Sequence, residues 1–264
     1  MENKKGYEKD MQWLLAEKYH GEKTEGFFTD CARLQTGKPL AYLIGHVPFL
    51  NTIIYLDSHP LIPRAETEFW VEKMIQEISA SLSRRTLNSD ARAPYILDLC
   101  AGSGCIGVTV LKAIPSARVD FAEIDARHHT IILKNIVENG VDPARARIFG
   151  GDLFSEISAQ PTQYDYILTN PPYIDPQKEE RIEKSVFNHE PHEALFGGIG
   201  GLEFIHRILK EAPTFLIPRG ALYIEHEPEQ VDAIKTYARE FGYTEIESFS
   251  DQYDVTRTTR LRYQ

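Results

Sequence analysis

Tyr95-Ile-Leu-Asp-Leu-Cys-Ala-Gly-Ser-Gly-Cys-Ile-Gly107 decides how the rest of the chain is read. Tyr95 to Leu99 has the short apolar run of a buried strand, and Gly107 to Ala113 reads as a helix. Between them lies a glycine turn, where the backbone turns tightly and a ligand can approach the helix N-terminus. The same rhythm continues downstream. Arg118 to Ile124 is predicted as a strand, about His128 to Glu138 as a helix, Arg147 to Phe149 and Tyr164 to Thr169 as strands. Gly201 to Leu209 reads as a helix, Ala221 to Glu225 as a strand, Val231 to Phe241 as a helix, and two strand-like pieces follow Tyr243. Strands alternating with helices imply an α/β fold, with a mostly parallel sheet covered on both faces.

Upstream the pattern differs. Met11, Leu14 and Leu15 give Tyr7 to Tyr19 a helical spacing, Phe27 to Leu34 suits a second short helix, and Gly37 to Pro39 breaks the pattern. Tyr42 to Pro63 mixes β-branched and aromatic residues with turn formers, as in a β-hairpin. Glu66 to Leu82 is again helical, and Arg84 to Ala93 is a polar linker. With a change of character near Pro63, we expect a small helical domain at 1–36, a hairpin linker at 37–65 and the α/β domain at 66–264.

Composition bounds the function. The 264 residues are 42% hydrophobic and 26% charged, which is globular rather than disordered. A net charge of −10 argues against a nonspecific nucleic-acid binder. No apolar run reaches the roughly 18 residues of a membrane span, and the charged start has no signal-peptide core. Cys31, Cys100 and Cys105 form neither a disulfide framework nor a zinc motif, so a reducing cytoplasm is expected.

The chemistry lies at the ends of the predicted strands. Asp98 precedes Gly102, Gly104 and Gly107, a placement suited to a ligand ammonium and so to S-adenosylmethionine rather than a dinucleotide. Asp125, after the second strand, can take ribose hydroxyls or simply cap the next helix. Asp152, after the third, can accept from an amino-purine with Phe154 against the ring, or be a plain turn residue. Asn170-Pro-Pro-Tyr173, after the fourth, is the sharpest signal. Two prolines fix a rigid turn, and the Asn170 amide oxygen and Pro171 carbonyl give two acceptors for a planar NH2 on which Tyr173 can stack. Holding a poor nitrogen nucleophile in line with a sulfonium methyl is orientation and charge stabilisation, and it needs no metal. A proline turn that merely ends a strand is the plainer alternative. His189 and His192 read as solvated loop residues rather than metal ligands, and Glu66 as a helix-start acid unless it faces the domain junction.

Beyond these motifs, the chain resembles the HemK/PrmC family, methyltransferases that modify the glutamine amide in the Gly-Gly-Gln motif of peptide chain release factors. The likeness covers nearly everything from Gly37 onward. Gly37-Lys-Pro-Leu-Ala-Tyr42 with Gly45 and Phe49 is similar to its interdomain segment, and Leu61 to Glu68 to its Ile-Pro-Arg-x-x-Thr-Glu signature. Glu190-Pro191, Ala194-Leu195 and Gly198 to Leu202 are similar to its Glu-Pro-x-x-Ala-Leu and glycine segment. Cys100 and Glu227 stand where that family favours glycine.

The resemblance implies a seven-stranded, mostly parallel methyltransferase (Rossmann-like) sheet behind a small helical domain and a hairpin. It implies S-adenosylmethionine held by Asp98, Ala101, Gly102, Gly104, Asp125, Asp152, Phe154 and Asn170. The glutamine amide would meet Asn170, Pro171, Pro172, Tyr173 and Glu190, with Asn170, Pro171 and Tyr173 taking the catalytic part. A monomer acting on release factors in the cytoplasm, without stable nucleic-acid binding, is the expectation. An amino-methyltransferase on nucleic acid, and a module that binds the cofactor without catalysis, are the competing readings.

Overall fold

The computed structural model describes residues 2–85, 92–159 and 163–263. Three helices open the chain, α1 (Glu2–Glu17), α2 (Glu25–Gln35) and α3 (Leu40–Ile44), followed by the antiparallel hairpin β1 (His46–Phe49) and β2 (Thr52–Tyr55) and the long α4 (Ala65–Arg85). Then come β3 (Tyr95–Leu99), α5 (Cys105–Ala113), β4 (Arg118–Ala122), α6 (Ala126–Glu138), β5 (Ala146–Phe149) and β6 (Tyr164–Thr169). The last third adds α7 (Lys184–His189), α8 (Glu203–Glu211), β7 (Leu216–Glu225), α9 (Val231–Glu240), β8 (Tyr243–Ser250) and β9 (Thr256–Tyr263).

The expected sheet is present, with seven strands in the order β5-β4-β3-β6-β7-β9-β8. β5 through β7 run parallel, and β9 enters antiparallel between β7 and β8. The polar linker predicted at Arg84 to Ala93 falls largely outside the described residues. Sequence reading gives no sign of α3 or α7, each less than two turns long and too short for a helical period to show.

Burial follows the patterning. One face of the sheet packs under α4, α5, α6 and the hairpin, through Trp70, Met74, Ile106, Val110 and Phe121. The other face packs under α8 and α9, through Ile205, Leu209, Ile234 and Phe154. The first helices keep a small core of their own around Leu14, Phe27, Cys31 and Leu43.

The hairpin is fastened to α6 by side chains that imitate a strand. Asn135 Oδ1 accepts from Tyr55 N (2.8 Å) and Asn139 Oδ1 from Ile53 N (3.0 Å), while their Nδ2 groups donate to Tyr55 O and Ile53 O.

At the centre, β3 holds the glycine turn from within. Asp98 is fully buried, and its Oδ2 accepts the Gly107 N–H at 2.8 Å. A Cβ on Gly107 would lie 2.3 Å from the Phe121 ring and 3.0 Å from Asp98 Oδ2, so only glycine fits. Gly107→Ala should therefore lower stability by about 1–3 kcal/mol, through overpacking and a displaced Asp98 bond. A denaturant midpoint equal to the parent's would show that the Phe121 ring yields freely.

Candidate active site

The site is built on one rung of the sheet. Leu99 of β3 pairs with Ala122 of β4 and Thr169 of β6, and Thr169 pairs with Ile224 of β7. The next residue of each strand, Cys100, Glu123, Asn170 and Glu225, therefore emerges at the same carboxyl edge. This is where parallel sheets of this kind bind ligands. A cleft opens there, and Gly102, Glu123, Asp125, Asp152 and Asn170 contribute polar groups to it. Leu61, Ile124, Leu153 and Phe204 supply apolar walls. That combination suits a nucleoside with a charged tail.

Glu123 organises the cofactor half, and sequence reading missed it. It is 7% exposed, its Oε2 accepts from Gly102 N (2.7 Å) and its Oε1 from Asp125 N (2.8 Å). Each oxygen keeps a lone pair for a ligand hydroxyl. The available signal was the position of Glu123, one residue past the end of β4, whereas Asp125 was the more familiar helix-start acid. Asp125 is the helix cap of α6, through Arg127 N (2.9 Å), and also stands at the cleft wall. Hydrogen bonds from the Arg127 guanidinium lower its pKa to about 2.

The remaining cofactor residues divide. Gly102, at φ +53°, lines the cleft, and Gly104, at φ +75°, caps α5. Ala101 is buried and gives its N–H to Ala122 O, which ties the turn to β4. Cys100 lines the cleft at φ +60°, a strained value for a residue with a Cβ, at a position where the resembled family favours glycine. Asp152 lines the cleft and pairs with Arg207 at 2.7 Å.

Three expectations change. Asp98 does not line the cleft, because its carboxyl is enclosed by the turn and burial pushes its pKa well up. Phe154 does not face a ligand ring, since it lies 1% exposed in the core, stacked on Phe215 at 4.6 Å, and Leu153 takes its place in the wall. Glu190 is not an acceptor-side contact. It is 4% exposed, and its two oxygens take Ile62 N (3.0 Å) and Arg64 Nη2 (2.7 Å), clamping the later loop to the segment before α4.

The Asn170–Tyr173 turn is braced on every side. Ile174 N donates to Leu195 O, Gly197 N to Ile174 O, and Gln230 Nε2 to Tyr173 O at 2.8 Å. A Cβ on Gly201 would fall 1.8 Å from Tyr173 O, and one on Gly197 would fall 2.5 Å from Pro172 O. The glycine segment is therefore where the backbone presses against the turn.

Asn170 Nδ2 donates to Thr67 Oγ1 (3.2 Å), and Tyr173 Oη donates to Glu225 Oε1 (3.2 Å). Among the described residues, neither Asn170 Oδ1 nor the Pro171 carbonyl has a protein hydrogen-bond donor. Glu227 is accommodated at φ −74°, with its N–H on Gln230 Oε1 and its carboxylate on Arg257. His189 Nδ1 and His192 Nε2 bond to the carbonyls of Ser185 and Phe187.

A glycine turn closing the first parallel strand, carboxylates after the next two strands and an Asn-Pro-Pro-Tyr turn after the fourth define an S-adenosylmethionine-dependent methyltransferase. Comparison with known proteins agrees. Residues 78–199 match the methyltransferase small domain. The chain is 33% identical to the release factor glutamine methyltransferase of Bordetella pertussis, over 86% of this chain and 78% of that one. It is 34% identical to that of Rhodopirellula baltica, over 81% and 70%. The ribosomal protein uL3 glutamine methyltransferase of Bradyrhizobium diazoefficiens is 31% identical, over 73% and 59%.

In fold it is similar to a methyltransferase from Pyrococcus furiosus (TM-score 0.55, 16% identity, 89% of this chain and 98% of that one). It is also similar to a Thermus thermophilus 16S rRNA methyltransferase (TM-score 0.55, 15% identity, 83% and 50%). The chain belongs to the release factor glutamine methyltransferase family.

The geometry gives a first test of the cofactor half. Glu123→Ala and Asp125→Ala should each weaken S-adenosylmethionine affinity by about ten- to a hundredfold, the worth of a charge-assisted hydrogen bond. Glu123→Ala should be the larger effect, because it also frees the Gly102 and Asp125 N–H groups. Calorimetry giving parent affinity for both variants would take both carboxylates out of the cofactor half.

Proposed function

We propose that this protein transfers a methyl group from S-adenosylmethionine to the side-chain amide nitrogen of the glutamine in the Gly-Gly-Gln motif of peptide chain release factors. The observation that carries this reading is the pairing of Asn170 Oδ1 and the Pro171 carbonyl, two acceptors without a donor among the described residues, on a turn that borders the cofactor cleft. The names of the relatives supply the acceptor.

The residues present fit the cofactor. Glu123 and Asp125 would hold its ribose, Gly102 would let its tail approach the turn, and Ile124 and Leu153 would flank its base. When bound, S-adenosylmethionine supplies an electrophilic methyl on a positively charged sulfur.

The chain's own contribution is to place the nucleophile. A glutamine amide nitrogen is a poor nucleophile, because its lone pair is delocalised into the carbonyl. Asn170 Oδ1 and the Pro171 carbonyl would each take one of its N–H protons, which orients the nitrogen and favours the positive charge growing on it. Tyr173, held by Glu225, would cover the planar amide. Transfer to the nitrogen so held would leave the neutral thioether S-adenosylhomocysteine as leaving group. The nitrogen then loses one proton, leaving an N-methyl amide.

A monomer in the cytoplasm, without stable nucleic-acid binding, is part of the same proposal. Net charge −10 and three free cysteines support it. No described helix is long and apolar enough to cross a membrane. A uL3 acceptor is the second reading, supported by the Bradyrhizobium relative, of which the chain spans the smaller share.

Turnover should be seen with full-length release factor, with the added mass on the Gly-Gly-Gln peptide, and not with uL3 or duplex DNA. Incorporation into uL3 at an equal rate would reverse the choice of substrate. Asn170→Ala should leave cofactor affinity within about twofold of the parent while single-turnover transfer falls about a hundredfold or more, the scale for losing one preorganised polar group. Asn170→Asp, still an acceptor, should keep partial activity. Loss of cofactor binding in proportion to rate would move Asn170 out of the acceptor half.

A further inference from the structure

Glu225 ends β7 on the same rung as Asn170, is 1% exposed, and gathers three donors from two other elements. Its Oε2 accepts from Thr67 Oγ1 (2.8 Å) and Trp70 Nε1 (2.7 Å), both on α4, and its Oε1 from Tyr173 Oη (3.2 Å). Thr67 is itself 2% exposed and touches Asn170 on its other side. We propose that Thr67 and Glu225 form a positioning relay that fixes which end of the Asn170 amide faces the acceptor nitrogen. It rests on the acceptor role given to Asn170 above.

The direction follows from counting protons. A threonine hydroxyl has one proton, and here it goes to Glu225 Oε2. Toward Asn170 the Thr67 oxygen can therefore only accept, and it takes an Nδ2 hydrogen at 3.2 Å. The opposite amide orientation would set Asn170 Oδ1 against an oxygen lone pair with no proton between them, in a partly buried place where an unmade bond is costly. Oδ1 is thus directed away from Thr67 and kept as an acceptor. That matters because an amide turned the other way would present NH2 to the NH2 of the substrate.

The same carboxylate holds the Tyr173 hydroxyl, so the acceptor side chain and the ring beside it share one anchor. Trp70 fixes that anchor from α4, parallel to the Tyr223 ring at 6.4 Å. Thr67 and Glu225 touch no reacting atom in this account, and they act through Asn170 and Tyr173. This also gives the threonine of the Ile-Pro-Arg segment a reason to be a hydroxyl residue.

The test compares the parent with Thr67→Ser, Thr67→Val, Glu225→Gln, Asn170→Ala and the Thr67→Val/Asn170→Ala double variant. The readouts are single-turnover transfer to full-length release factor, cofactor affinity, and the 15N–1H spectrum of the Asn170 side chain in the enzyme alone. Thr67→Val should slow transfer by about ten- to a hundredfold, the range for misorienting a polar group, while cofactor affinity and release-factor KM stay within about twofold.

Thr67→Ser should restore most of the rate. Glu225→Gln can still offer oxygen to Thr67 and NH2 to Tyr173, so it should slow transfer less than Thr67→Val does. In the Asn170→Ala background, Thr67→Val should cost almost nothing more, because the group it positions is gone. In the spectrum, the Asn170 NH2 pair should move in Thr67→Val and return in Thr67→Ser.

Parent-like transfer by Thr67→Val, or its full effect persisting without Asn170, would overturn the relay. The spectrum separates the two readings. If the parent fails to methylate release factor, the acceptor assignment falls, and an unmoved Asn170 resonance in Thr67→Val sinks the relay by itself.

Discussion

Everything at the site depends on the register of four parallel strands. Because Leu99 is level with Ala122 and Thr169, and Thr169 with Ile224, the residues that follow reach one edge together. A slip of one residue in any of these strands would turn its side chains to the opposite face of the sheet and withdraw its contribution. The register is in turn held by burial. β6 is buried along its whole length and β3 from Ile96 to Leu99, so neither strand has a face that tolerates water. Asp98 sits inside this arrangement and converts strand position into turn shape through its bond to Gly107. A carboxyl placed so deep holds the turn on which the cleft is built.

The two halves of the cleft are built by different means. The cofactor half relies on backbone shape, with left-handed residues at Cys100, Gly102 and Gly104 and carboxylates that tie loop to loop. The acceptor half relies on a turn stiffened by proline and pressed by glycines, with its polar ends aimed by side chains from distant parts of the chain. Thr67 and Asn170 are 103 residues apart, and Thr67 and Glu225 are 158 apart. A relay of this length can assemble only after α4 has packed on its face of the sheet.

That distance explains what could be read in advance. Strand and helix order, the glycine turn and the Asn-Pro-Pro-Tyr turn are local patterns, so the sheet and the position of both turns at its carboxyl edge were legible from residue type and spacing. That Glu123 reaches the cleft beside Asp125 was not. Glu123 and Asp125 are two residues apart, and only the point where β4 ends tells them apart. Phe154 followed the acid that marks the site, but its ring turns inward against Phe215, a partner far along the chain. Glu190 stood in a segment resembling a substrate motif, yet it serves Ile62 and Arg64. Glu66 was weighed for a role at the domain junction, and its neighbour Thr67 is the residue that reaches Asn170. In each case the missing information was a tertiary partner, which spacing does not encode.

The grip of α6 on the hairpin also protects solubility. β2 has β1 on one side, and its other edge would leave Ile53 and Tyr55 with unpaired N–H and C=O groups, inviting pairing with another chain. Asn135 and Asn139, one helical turn apart, occupy those positions with amides that donate and accept as a neighbouring strand would. The hairpin can thus carry exposed Ile53 at an outer margin without becoming a template for aggregation.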